Sequence, residues 1–144
     1  MNVFKYLTLV FAVIVPQLLQ AQSHPDMMPG VHTVEYIENP LGINTDKPRF
    51  SWTLLSSERN KSQTAYEILV NENWQELRQG KGSAWSTGKV VSSQTLHIPY
   101  NGVALKPFTR YYWKVKVYDE KGTDCGYGKI AWFETAMLQP SDWK

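Results

Sequence analysis

Of the thirteen acidic residues of this 144-residue chain, four that lie on or beside predicted strands, Glu35, Glu67, Asp119 and Glu134, are the candidates for acid–base chemistry. General acid–base hydrolysis needs two such groups flanking one bond, one held neutral to donate a proton and one ionised to accept it. Each of the four also fits a solvent-facing or strand-end position, and nothing in their spacing draws two together. His24, His32 and His97 are too scattered for metal-ligand spacing, with no cysteine pair or carboxylate cluster to complete a site. Cys125 is the only cysteine; without a second thiol or a histidine near it, it reads as a small residue in a turn near a strand end. GKGS at Gly80–Ser83 lacks the upstream glycine of a phosphate loop, and no Gly-x-Ser-x-Gly elbow occurs. No catalytic residue, metal or cofactor is assigned on these grounds.

The best-marked element is Leu105–Asp119, LKPFTRYYWKVKVYD. From Tyr111 the residues alternate, Tyr111, Trp113, Val115 and Val117 on one face and Tyr112, Lys114, Lys116 and Tyr118 on the other, the period of a half-buried strand. The first set reads as core, and the lysines of the second are expected to keep their ammonium groups in water. Leu105, Pro107, Thr109 and Tyr111 resemble the tyrosine corner of immunoglobulin-like and fibronectin type III domains, in which a phenol bonds back to upstream backbone.

The other elements are short. Val31–Ile37 reads as a first strand, Phe50, Trp52 and Leu54 share one parity of a second, and Tyr66, Ile68 and Val70 one face of a third. Asn71–Gly82 is expected to be irregular despite Trp74 and Leu77 three apart. Gly82 and Gly88 bracket Trp85, Val90 and Val91 make a brief edge strand, and Asn101-Gly102 is a turn. Gly122 sits where a hairpin needs a left-handed residue, and KIAWFETA returns with Ala131 and Phe133 inward. About seven short strands without a long amphipathic helix argue for an all-β, antiparallel immunoglobulin/fibronectin type III-like β-sandwich.

Ahead of it, Lys5, the apolar run Tyr6–Val15 and a small residue at Ala21 read as a signal peptide over residues 1–21. The run is short of the roughly 20 residues of a membrane span, so export to the periplasm or the exterior is expected, with no span after cleavage. Residues 22–30 read as a flexible lead-in and Asn60-Lys61-Ser62 as a glycosylation sequon. The formal net charge of +2 falls by one when Lys5 is removed, and the basic residues are scattered, which excludes the footprint of a nucleic-acid binder.

Six strings, in order, carry a closer resemblance: NPLGI (Asn39–Ile43), PRFSW (Pro48–Trp52), QTAYEILV (Gln63–Val70), WSTGKV (Trp85–Val90), RYYWKVKVYDEKG (Arg110–Gly122) and FETAM (Phe133–Met137). Together they resemble the N-terminal β-sandwich domain of bacterial α-L-rhamnosidases. The chain departs from that pattern at Ser86-Thr87, where the family has Asp-Ser, and near Cys125–Tyr127, where it has a Trp-Ser pair. The resemblance implies a sandwich over 31–137, a linker from 138–144 into a following domain, and catalysis in a helical barrel with no counterpart here. It implies a non-catalytic module that packs against downstream domains of a glycoside hydrolase. The alternative is a stand-alone module binding plant polysaccharide, for which aromatic rings are the material. Trp52, Trp113 and Tyr66 fall on inward faces, whereas Trp74, Trp85, Tyr112 and Tyr118 are the candidate carbohydrate or domain contacts.

Overall fold

The structure, a computed structural model, describes residues 26–143. The expected signal peptide lies outside the described residues. Two antiparallel sheets face one another. The first joins β1 (Met27–Val34), β2 (Arg49–Ser56) and β6 (Ile98–Pro99) in the order β1-β2-β6. The second is built on β3 (Ala65–Asn71) and β7 (Arg110–Tyr118), paired in register from Ala65 opposite Tyr118 to Asn71 opposite Tyr112. Both edges of this pair are broken strands. The short β4 (Trp85–Ser86) and β5 (Val90–Val91) flank β3, and β8 (Asp124–Tyr127) and β9 (Ala131–Glu134) flank β7. Counting each broken edge once gives the seven strands expected of the sandwich.

The breaks have local causes. Between β4 and β5, Thr87 accepts the Ile68 N–H through its hydroxyl at 2.9 Å and returns its own N–H to the Ile68 carbonyl at 3.1 Å. The ladder therefore stays satisfied where the backbone bends away at Gly88, whose φ is +61°. The hairpin after β7 turns at Gly122, φ +77°, as its position predicts.

The interior fills from both sheets. Phe50 and Trp52 of β2 meet Tyr66, Ile68 and Val70 of β3, Tyr111, Trp113, Val115 and Val117 of β7, and Ala131 and Phe133 of β9, all buried. Phe50 lies 4.7 Å from Trp113 and 5.7 Å from Phe133 between ring centroids, both edge-to-face, the arrangement the ring quadrupoles favour. Cys125 is free, so among the described residues this packing carries the stability with no disulfide to assist it.

Four expectations need correction. β1 starts at Met27, which is fully buried, so the strand reaches into the segment read as lead-in, with a bulge between Pro29 and His32. It also stops at Val34, because Glu35 and Tyr36 take left-handed φ values of 49° and 69° in a two-residue turn closed by the Val34 and Ile37 hydrogen bonds. The segment expected to be irregular holds the helix α1 (Trp74–Arg78), started by Asn73, whose side chain accepts the N–H groups of Gln75 and Glu76. Lys114 does not keep its ammonium in water. It is buried, with Nζ 4.2 Å from the centre of the Tyr127 ring, because Tyr127 on the neighbouring strand β8, opposite Lys116 in the ladder, lays its ring against it.

Candidate functional site

The four carboxylates are dispersed, and each serves the fold. Glu35 accepts the Arg49 backbone N–H at 2.7 Å and its guanidinium at 3.1 and 2.7 Å, which secures the strained Glu35-Tyr36 turn to β2. That hydrogen bonding holds the Glu35 carboxyl below its usual range. Asp119 accepts the N–H groups of Lys121 and Thr123 across the hairpin and is likewise held ionised. Glu67 lies 3.9 Å from the Lys116 ammonium, and Glu134 accepts from Arg110 at 3.0 Å. Neither Glu35 nor Asp119 is placed to be a proton donor, and none of the four lines either the groove beside β1 or the groove beside Val103 and Leu105.

Among the described residues no group of three or more His, Cys, Asp or Glu could hold a metal ion. His32 is buried edge-on to Trp113, 5.1 Å between centroids, and the loss of water around it lowers its pKa to about 4 against a weaker opposing bond to the Gly30 backbone. Its Nε2 has no hydrogen-bond partner, which is consistent with a neutral ring. His97 lies at the surface beside Tyr36, 5.1 Å between centroids. Cys125 is on β8 rather than in a turn, buried in the core, and burial pushes its thiol up, the opposite of what a reactive cysteine requires.

The tyrosine corner forms as the sequence implies. Tyr111 is buried, and its Oη accepts the Lys106 N–H at 2.9 Å, while Leu105 plugs the end of the sandwich beneath it. Thr135 completes the corner by donating to the Lys106 carbonyl at 2.6 Å and accepting the Thr109 N–H at 2.9 Å. NPLGI joins from the other side. Ile43 donates to the Glu134 carbonyl at 2.8 Å and accepts from Ala136 at 2.7 Å, and the Asn39 side chain accepts the Trp132 N–H at 2.9 Å. Two strings far apart in sequence, NPLGI and FETAM, therefore meet at one pole.

The candidate aromatic contacts are not brought together. Trp85 packs against the core, 5.7 Å from Phe50 and 5.2 Å from Tyr100. Trp74 is exposed on α1 with the Arg78 guanidinium 5.6 Å from its ring. Tyr112 and Tyr118 are half-buried on one face of β7, six residues and about 20 Å apart by strand rise. Tyr118 carries the Lys89 ammonium 4.0 Å above its ring. No flat multi-ring platform results.

A different set of side chains stands out at the pole where β1 and β9 end and β2 and β7 begin. Tyr36, Ile37, Leu41, Trp74, Val103, Phe108 and Trp143 are all exposed there, seven of the twelve large apolar side chains exposed among the described residues. Phe108 is the least expected, for it holds φ at +50° with its ring 65% exposed. A bulky residue in the left-handed region costs about 1–3 kcal/mol, and this one leaves most of its surface outside the domain core. Composition alone could not single out this pole, since its members come from five separate stretches. The one local signal is Phe108, an apolar residue at the tip of a predicted corner.

A two-sheet sandwich held by a tyrosine corner defines a domain of the immunoglobulin-like class. The chain belongs to the family described as the Rha78A-like N-terminal immunoglobulin domain, whose family model matches residues 30–139. It is 37% identical over 111 residues to an α-L-rhamnosidase of Streptomyces avermitilis, covering 77% of this chain and 11% of that protein. An α-L-rhamnosidase of Formosa agariphila is 37% identical over 105 residues, covering 73% and 11%. Among solved structures, the α-L-rhamnosidase from Dictyoglumus thermophilum superposes with a TM-score of 0.78 at 36% identity over 81% of this chain and 13% of that one. The Streptomyces avermitilis enzyme complexed with L-rhamnose gives 0.77 at 35%, over 82% and 11%. The chain thus spans about a tenth of the length of the curated relatives it matches.

Proposed function

We propose that this chain is a non-catalytic module of an exported α-L-rhamnosidase-like glycoside hydrolase, which packs against and positions the domains that follow it. The observation that carries the reading is the match itself: most of this chain aligns with a small N-terminal part of proteins named for rhamnosidase activity. The site geometry agrees, because inversion at a glycosidic bond needs two carboxyl groups roughly 6.5–9.5 Å apart around it. Here Glu35, Glu67 and Glu134 are each paired with a cation, and Asp119 caps a turn. Export rests on the Lys5-to-Ala21 pattern, and the mature N-terminus measured by mass spectrometry after expression with an intact export pathway tests it.

The functional test has two arms. The purified chain is incubated with an aryl α-L-rhamnoside, and residues 26–143 replace the matching segment of the Streptomyces avermitilis enzyme. The expected results are no release by the chain alone and a folded, active chimera. Hydrolysis by the chain alone that a single change such as Glu134→Gln abolishes would overturn the proposal, as would a chimera that does not fold. Saturable binding of the chain to a plant polysaccharide, lost on Trp74→Ala, would favour a carbohydrate-binding module instead.

A further inference from the structure

We infer that the pole bearing Leu41, Val103 and Phe108 is the face on which the next domain of the same polypeptide docks in a full-length rhamnosidase. This rests on the proposed positioning role and names the surface that performs it.

Three independent observations converge on this pole. The first is apolar exposure: Leu41 is 69%, Val103 59% and Phe108 65% exposed, large side chains from three loops displayed at one end of the sandwich. The three are structurally linked. The Phe108 N–H donates to the Ala136 carbonyl, Ala136 in turn donates to the carbonyl of Ile43, two residues from Leu41, and Val103 shares a groove of about 430 Å³ with Leu105, Pro107 and Leu138.

The second is strain. Phe108 keeps a left-handed φ that asparagine or glycine would adopt with less difficulty, and its phenyl ring projects away from the domain that holds it there. A ring displayed at such a position gains its contacts from something outside the domain.

The third is chain continuity. The family is described as N-terminal, and about nine-tenths of each matched relative lies outside the matched region. The match ends at residue 139, and residues 135–142 run beside the same pole, with Leu138, Gln139 and Asp142 lining the groove under Val103. In this chain the polypeptide at the end of the matched region thus runs along this face. The short tether gives the next domain a high effective concentration there, so an interface of ordinary interdomain size holds it in place.

Amide hydrogen exchange in the isolated chain and in the chimera tests the inference. Amides in 39–43 and 102–109 are expected to exchange at least tenfold more slowly in the chimera, while those of the opposite pole, 57–62 and 120–123, exchange at equal rates. Phe108→Asn should leave the melting temperature of the isolated chain unchanged or raised, because Asn accepts the left-handed conformation, yet remove most of that added protection. Leu41→Asn should do the same. A folded chimera that gains protection on another face, or is insensitive to both variants, overturns this docking face and leaves the positioning role standing. A chimera with no added protection anywhere overturns the positioning role itself.

Discussion

Acid should destabilise this domain through His32 before its carboxylates begin to protonate. Burial lowers the imidazole pKa from 6.5 to about 4, so the folded state holds a neutral ring while the unfolded chain binds a proton below about pH 6.5. The stabilisation is present in full above the unfolded value and is lost as pH falls from there toward the folded one. A separation of about 2.5 pKa units corresponds to about 3 kcal/mol, of which about 2 kcal/mol is lost by pH 5. Glu35, Asp119, Glu120 and Asp124 have depressed pKa values and lose their contributions only as pH falls below the ordinary carboxylate range. Urea unfolding between pH 7 and 4.5, followed by tryptophan fluorescence, isolates the histidine. The wild type should lose about 2 kcal/mol between pH 7 and 5, and His32→Leu should be nearly flat over that range. A flat wild-type profile, or equal slopes in the two proteins, would refute the buried neutral imidazole.

Tyr111→Phe should lower stability by about 1 kcal/mol in the same assay, because only the hydroxyl that accepts the Lys106 N–H is removed while the ring keeps its stacking on Phe133, 5.3 Å between centroids. Gln63→Leu should cost more, about 3 kcal/mol. The buried Gln63 side chain accepts the Trp52 indole N–H at 2.9 Å and donates to the Ser92 and Gln94 carbonyls, so its removal strands the buried indole N–H and breaks the tie to the loop before β6. Asn73→Ala should reduce stability by about 1 kcal/mol through loss of the α1 cap, read by the same denaturation.

The features legible in the sequence are those that local pattern determines. Alternation along Tyr111–Val117 and the Leu105, Pro107, Tyr111 spacing specify β7 and its corner, and Gly122 marks the hairpin, because period and turn chemistry act within a few residues. What escaped depends on partners distant in the chain. Glu35 and Tyr36 have strand-like neighbours, yet they occupy a turn that usually takes Asn-Gly, and Arg49, fourteen residues away, holds it there. Lys114 has the parity of a solvent residue, but Tyr127 on the paired strand β8 sets its ring against it, a cross-strand contact that period alone cannot register. The α1 helix did carry a signal in Asn73 as its cap, but one short turn of helix has little periodicity to set against its polar surroundings. The exposed pole was hidden for a related reason. Its apolar residues are single members of separate loops, and only the closure of NPLGI onto FETAM brings them together.

The central claim is that this sandwich works by docking, and calorimetric unfolding of the chimera tests it most directly. A docked domain shares the stability of its neighbour, so the account predicts that residues 26–143 melt above the temperature at which the isolated chain unfolds, together with loss of rhamnosidase activity. A separate transition at the isolated chain's own melting temperature, with activity surviving through it, would contradict it.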